Sequence, residues 1–308
     1  MNTYKYIFGP VPSRRLGRSL GIDLLPLKTC SFDCVFCQLG RTPATTLQRK
    51  EYVSTQSVLQ ELRDWLASDG AADFITLSGS GEPTLHRSFE QILGFVRENS
   101  SISTALLSNG SMFAWPEIRK QAQEADLVKV SLSAWDQKSL ERINRPHPEI
   151  EFTKLIQGLR EFSQEYQGSL MLEVFLIAGI NDDPASVCKI AEKINDLNIQ
   201  EVQLNTIVRP PAEKDIFPVS RENLERLAQE FTPAVEIFTD YKSDPNKQIS
   251  SSLNSILALL QRRPCTIQEI IEVSGRSRSE VECSIQELIQ RKKIKMFEQN
   301  NKQYYTAA

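Results

Sequence analysis

Histidine is almost missing from this 308-residue sequence, which holds only His86 and His147. Neither sits in a paired knuckle pattern, so a structural zinc site is short of its fourth ligand. Long apolar runs are also missing. None approaches the roughly 18 residues that a membrane-spanning helix requires. The beginning of the chain shows no secretory signal pattern, which leads us to expect a cytoplasmic protein with reduced thiols. Residues 1–29 contain no cysteine at all. An apolar content of 40% with 24% charged residues is that of a globular chain able to bury a sizeable core. The net charge of −3 is unevenly spread: residues 247–308 carry 10 Lys/Arg against 6 Asp/Glu, or +4, which leaves −7 for residues 1–246. The basic part is the tail.

Against these absences stands one concentrated feature. Cys30, Cys34 and Cys37 fall within eight residues of the loop Lys-Thr-Cys-Ser-Phe-Asp-Cys-Val-Phe-Cys-Gln-Leu-Gly-Arg, residues 28–41. Disulfides at such short spacings and odd number are disfavoured, whereas one loop can wrap one metal centre. Cuboidal iron–sulfur clusters are normally held by four thiolates, so three cysteines leave one iron open to a reactant. Cys188, Cys265 and Cys283 lie scattered among apolar or helical neighbours and read as ordinary small side chains. Arg14, Arg15 and Arg18, in a glycine- and proline-rich opening, are either solvated charge or partners for an anionic group beside the loop; their turn-rich setting favours the second.

Strands and helices then alternate. A short strand over residues 21–25 precedes the cysteine loop. Strands follow over 74–78, 104–107, 127–133, 170–177 and 201–207, with helical stripes between them and a last strand over 235–238. That alternation implies parallel strands with right-handed crossovers, and six units fit a partial (β/α)6 barrel over residues 1–238. Along Leu127 to Ser133, period-two spacing sorts Val128, Val130 and Leu132 to one face and Lys129, Ser131 and Ser133 to the other. Thr76, Ser78, Glu173, Gln203 and Asn205 extend the polar face, so the interior reads as a wet cavity instead of a packed apolar centre. For Thr76 or Gln203 a solvent-facing place at a strand end is the alternative; it suits Lys129 and Glu173, mid-strand in apolar runs, poorly. Residues 239–248 are polar and turn-rich, the composition of a linker. Residues 249–308 read as three helices and two short strands, an order that resembles a winged helix-turn-helix domain. Its basic residues suit phosphate contact, but Glu280, Glu282 and Glu287 oppose it, so nucleic acid and protein contact both stay open.

The three-then-two cysteine spacing, with Phe36 just before the last cysteine, resembles the signature loop of the radical S-adenosylmethionine (SAM) enzymes. The loop Gly79-Ser80-Gly81-Glu82-Pro83 resembles their glycine–glutamate motif, with Ser80 between the glycines. The resemblance implies that Cys30, Cys34 and Cys37 hold three irons of a 4Fe-4S cluster whose fourth iron is chelated by the methionine part of SAM. It assigns the methionine amine to Glu82 and the backbone from Gly79 to Gly81, beside Phe36, Ser78 and Ser80. It assigns the ribose or methionine to Asn109, Ser133 and Glu173, and the adenine to Asn205, Thr206 and Ile207. Reduction, by a donor such as ferredoxin or flavodoxin, would yield a 5′-deoxyadenosyl radical that takes hydrogen from a substrate. The chain resembles most the wyosine-synthesising tRNA enzymes and their relatives, yet it lacks the further N-terminal cysteines that hold their second cluster. For their imine-forming lysine, Lys129 or Lys28 is on offer without a motif to fix either. RNA or a protein, held through the tail, is the expected substrate partner. An iron–sulfur redox regulator binding DNA through the tail is the alternative.

Overall fold

Alternating apolar stripes of period two and 3.6 build an α/β chain around one large sheet. The computed structural model describes residues 4–13, 16–68, 70–238, 253–299 and 302–308. The elements run β1 (Ile7–Ser13), β2 (Gly17–Asp23), α1 (Thr55–Ala67), β3 (Phe74–Ser78), α2 (Phe89–Asn99), β4 (Ser103–Ser108), α3 (Pro116–Ala122), β5 (Leu127–Ser131), α4 (Gln137–Ile143), α5 (Phe152–Glu165), β6 (Ser169–Phe175), α6 (Pro184–Ile194), β7 (Glu201–Asn205), α7 (Arg221–Leu227) and β8 (Ala234–Phe238). The eight strands lie side by side in chain order. From β2 to β8 every pairing is parallel; β1 alone runs antiparallel, against β2. Helices cover the outer face, where Val58, Leu62, Ile92, Ile118, Leu159 and Ile190 are wholly buried.

Strand β1 is not among the strands expected from the sequence, and it holds Pro10 and Pro12 because it is an edge strand, which needs ladder hydrogen bonds on one side only. The register shift between Phe8 and Val11 accommodates the Gly9-Pro10 step.

After β8 the description resumes with α8 (Leu253–Arg262), α9 (Ile267–Ser274), α10 (Arg278–Gln290) and the antiparallel hairpin of β9 (Ile294–Gln299) with β10 (Lys302–Ala307). The expected linker over 239–248 lies outside the described residues. Local chemistry fixes these helices. Thr266 with Glu269 and Ser277 with Glu280 form capping boxes at the starts of α9 and α10, and Gly275, at φ 65°, ends α9 in the left-handed region. The segment gathers its own apolar cluster, including Leu260, Cys265, Ile270, Val281 and Ile285. Helix α8 also packs on β1, at the open margin of the large sheet. Among the described residues no helix is long and apolar enough to cross a membrane.

Candidate functional site

The cysteine loop leaves the carboxyl end of β2 and is braced from both sides. Asp33 accepts from the Thr42 N–H at 2.6 Å and from Arg41 Nε at 2.8 Å, while the Val35 N–H reaches the Ile143 carbonyl at 3.0 Å. All three thiols are half-buried and free. Each meets a nitrogen donor: Asn109 Nδ2 lies 3.6 Å from Cys30 Sγ, Asn144 Nδ2 3.3 Å from Cys34 Sγ, and Lys28 Nζ 3.1 Å from Cys37 Sγ. Burial, reinforced by Glu82, pushes the Cys30 thiol up to about 12; burial, with the other two cysteines, pushes Cys34 up further. Such sulfurs become thiolates only beside positive charge, which coordinated iron supplies.

The sulfurs are near enough to interact electrostatically. Among the described residues, however, no three His, Cys, Asp or Glu side chains are grouped to hold a single metal ion. A mononuclear site needs its thiolates about 2.3 Å from one ion, whereas a cuboidal cluster gives each sulfur its own iron. Three thiols on one loop are of the kind that could give a cuboidal cluster one sulfur per iron, and amide and lysine donors are of the kind that orient such ligands.

The glycine loop is fastened to this one through its backbone. The Lys28 N–H donates to the Ser80 carbonyl at 2.6 Å, and the Glu82 N–H to the Thr29 carbonyl at 3.1 Å. A Cβ at Gly81 would collide with the Thr29 carbonyl oxygen, and one at Gly79, whose φ is 113°, would sit 2.7 Å from the Asp23 carboxyl carbon. Glycine is required for this approach.

Between the sheet and α8 lies a cavity of about 450 Å³. Of the expected cofactor residues, Phe36, Ser78, Gly79, Gly81, Glu173, Asn205, Thr206 and Ile207 line it, and so does Lys129. Phe36 stacks on Phe175 with ring centroids 4.1 Å apart and planes 9° apart. Lys129 Nζ pairs with Glu173 Oε2 at 3.1 Å, and Asn205 Nδ2 reaches the same oxygen at 3.4 Å. Thr76 faces the cavity too, bonded to Ser19 at 2.7 Å.

Four expected cofactor residues are turned elsewhere. Glu82, only 2% exposed, accepts from Thr84 N, Thr84 Oγ1, Ser108 Oγ and the Asn109 N–H. Burial raises its pKa, and these four bonds oppose the rise. Its carboxylate is a bracket between two loops. Asn109 spends its amide on Ser31, Cys30 and the Ser111 N–H. Ser133 accepts from the Phe175 N–H at 2.9 Å, and Ser80 donates to Asp23 at 2.5 Å. Short side chains beside tight turns find backbone partners before they find a ligand. Gln203 is buried and donates to Glu201 at 2.8 Å, so it is no solvent-facing strand end. Arg18 pairs with Asp73 at 3.4 Å, at the end of β2 away from the cysteine loop, and so is not its anion partner. Arg14 and Arg15 lie outside the described residues. His86 is buried against Val53.

The structure adds Phe8, Arg209, Leu259, Arg262 and Arg263 to the cavity wall. The run Arg262-Arg263-Pro264, two cations closing a helix, was the available signal.

Residues 24–191 match the family described as the radical SAM superfamily. A protein named GTPase Obg from Brachyspira hyodysenteriae is 33% identical over 295 residues; the match takes in 94% of this chain but 43% of that protein. A UPF0026 protein from Methanocaldococcus jannaschii is 32% identical over 305 residues, 97% of this chain and 94% of its own. In fold the chain is similar to a radical SAM methyltransferase from Sphaerobacter thermophilus (TM-score 0.56, 17% identity, 71% of this chain and 66% of that one). It is likewise similar to TYW1 with a lysine-pyruvate adduct bound (TM-score 0.52, 17% identity, 69% and 72%).

Proposed function

The chain belongs to the radical SAM superfamily, and from that membership we propose that it abstracts hydrogen from a small substrate held in the cavity between the sheet and α8. It is an enzyme that takes a 4Fe-4S cluster and SAM. When bound, these supply one-electron cleavage of the SAM sulfonium to methionine and a 5′-deoxyadenosyl radical.

The chain's own residues hold, orient and enclose. Cys30, Cys34 and Cys37 are the iron ligands. Lys28, Asn109 and Asn144 donate to their sulfurs and fix how the ligands face. Gly79 and Gly81 face the cavity without side chains, which leaves room there for the methionine end of SAM. Phe36 and Phe175 make a flat apolar wall suited to an adenine, beside the Asn205–Ile207 backbone. Glu82 acts through Asn109 and the Ser108 hydroxyl. Lys129 and Glu173 keep an ion pair in the wall, and both are of the residue types that can pass a proton.

One observation carries this reading: the loop bearing three thiols and the glycine loop are locked together by the Lys28–Ser80 and Thr29–Glu82 bonds beside one cavity. A redox regulator needs no such cavity next to its cysteines. Reconstituted anaerobically and reduced with dithionite, the protein should release 5′-deoxyadenosine from SAM. An intact, reducible four-iron cluster that never cleaves SAM would overturn the enzyme reading.

For residues 249–308 the proposal is a winged-helix module joined through 239–248. Four of its cations are poorly placed to grip RNA, while Lys292, Lys293, Lys295 and Lys302 are exposed. Arg278 and Arg291 are bonded to Glu282 and Glu287, and Arg262 and Arg263 turn into the cavity. Contact with a protein, of which a ferredoxin or flavodoxin electron donor is one kind, suits the remaining surface better.

A further inference from the structure

We infer that Lys28 is a positioning residue acting through Cys37: its ammonium, held against the Cys37 sulfur, raises the reduction potential of the cluster. This rests on the cluster assignment above and goes beyond it, since a donor that merely orients a sulfur need carry no charge.

The backbone shows that lysine stands there against local preference. Residues Pro26 to Thr29 make a tight turn, closed by the Thr29 N–H on the Pro26 carbonyl at 3.1 Å. Lys28 holds the third position of that turn with φ 63°, in the left-handed region. Glycine and asparagine take this place readily, whereas a longer side chain is strained in it. The Lys28 N–H donates to the Ser80 carbonyl at 2.6 Å, a bond between the two loops that glycine would make equally well. The backbone alone therefore does not call for lysine, and strain of this kind persists where a side chain is needed.

The side chain supplies the reason. Lys28 is half-buried, and its Nζ lies 3.1 Å from Cys37 Sγ. Cys30 and Cys34 meet neutral amides, from Asn109 and Asn144, so of these three side chains Lys28 is the one that brings charge. Its field acts on Cys30 and Cys34 as well. Reduction adds one negative charge to a cluster held by these sulfurs. A cation beside one of them stabilises the reduced form more than the oxidised form, and charge and hydrogen bonds at the sulfurs set such potentials. In a half-exposed site the gain is on the order of tenfold in the equilibrium constant for one electron, or about 59 mV.

The test is a stepwise dithionite titration of the reconstituted four-iron protein without SAM, with the potential monitored and the reduced cluster read by electron paramagnetic resonance. Lys28→Met removes the charge and keeps a side chain. Lys28→Gly removes the charge and the backbone strain together, which guards against a variant that folds poorly. Both should bind four irons and accept the electron at a potential more negative than wild type by that amount. Lys28→Arg, which keeps the charge, should stay nearer wild type. Lys154→Met, on the surface beside Glu151, should not shift. Wild-type potentials in both Lys28→Met and Lys28→Gly overturn the proposal, and so does loss of iron from Lys28→Gly, which would make Lys28 a structural post. A shifted potential in a protein that never cleaves SAM keeps this role and removes the enzyme reading; SAM cleavage with unshifted variants does the reverse.

Discussion

The two sides of the molecule that flank the cavity follow opposite rules. On the cysteine side the polar groups are committed: Glu82 accepts four bonds, Asn109 is spent on three partners, and Ser80 is turned to Asp23. On the α8 side Arg209 and Arg262 each keep a buried Nε unmatched. Saturation marks groups that hold the frame. A deficit leaves a group open to water or a ligand, and it is not confined to the cavity, since Thr55, Glu90 and Arg119 also keep a buried polar atom unmatched. Motif residues thus divide into those that touch the ligand and those that place its neighbours, a division that motif identity alone does not reveal.

The largest effect should come from the thiols, which are the exception on the saturated side. Cys34→Ala should lose bound iron and all 5′-deoxyadenosine formation, measured by iron assay and chromatography, while exposed Cys188→Ala should keep both. Four irons retained in Cys34→Ala would remove that cysteine from the ligand set.

Next in size is the buried pair between the walls. Lys129→Met removes the ion-pair partner of the Glu173 carboxylate in a site where both side chains are about nine-tenths buried. Breaking such a pair from one side costs about 3–5 kcal/mol, and replacing both partners recovers much of it. Denaturant midpoints should therefore order as wild type, then Lys129→Met/Glu173→Gln, then Lys129→Met. A double variant no better than the single one would show that the pair is not what Lys129 contributes.

Two glycines sharpen the contrast further. Gly81→Ala drives a methyl into the Thr29 carbonyl and should cost about 2–3 kcal/mol, unfastening the two loops. Gly94→Ala, in α2 with nothing within 4 Å of its added methyl, should stabilise by about 0.5–1 kcal/mol. The same chemical change then has opposite signs at two sites, read by the same denaturation curves.

Much of this was legible in the sequence because it was local. Alternating runs gave the parallel strands, and the polar face predicted for Lys129, Glu173 and Asn205 lies on the cavity. Cysteine spacing and the glycine loop identified the two loops that the backbone then ties together. What was illegible depended on partners distant in sequence. Edge position, which excuses the prolines of β1, is a property of the sheet. The direction of the Glu82 carboxylate depends on Ser108 and Asn109, at the end of the next strand. Arg262 and Arg263 count toward a basic tail until α8 is seen packed on β1, which brings them inside.

The smallest expected effect extends saturation to a titrating group. His86 is 0% exposed; its Nε2 lies 2.9 Å from the Val53 carbonyl oxygen, and its Nδ1 accepts from the Ser88 N–H at 3.3 Å. A carbonyl only accepts, so Nε2 carries the hydrogen and Nδ1 must stay bare. Protonation at Nδ1 would set two donors face to face, and burial, the largest cause, holds the pKa below that of a free histidine. A folded-state pKa below the unfolded one means the unfolded chain binds the proton first. The stability that neutral His86 contributes is complete above the unfolded value of about 6.5 and is lost as pH falls through the folded one. Denaturant midpoints should thus decline as pH is lowered below about 6.5. His86→Gln can offer an amide N–H to Val53 and an oxygen to Ser88, so it should be less stable near neutrality yet lack that part of the decline. An unchanged slope in the variant would assign the pH dependence to other groups.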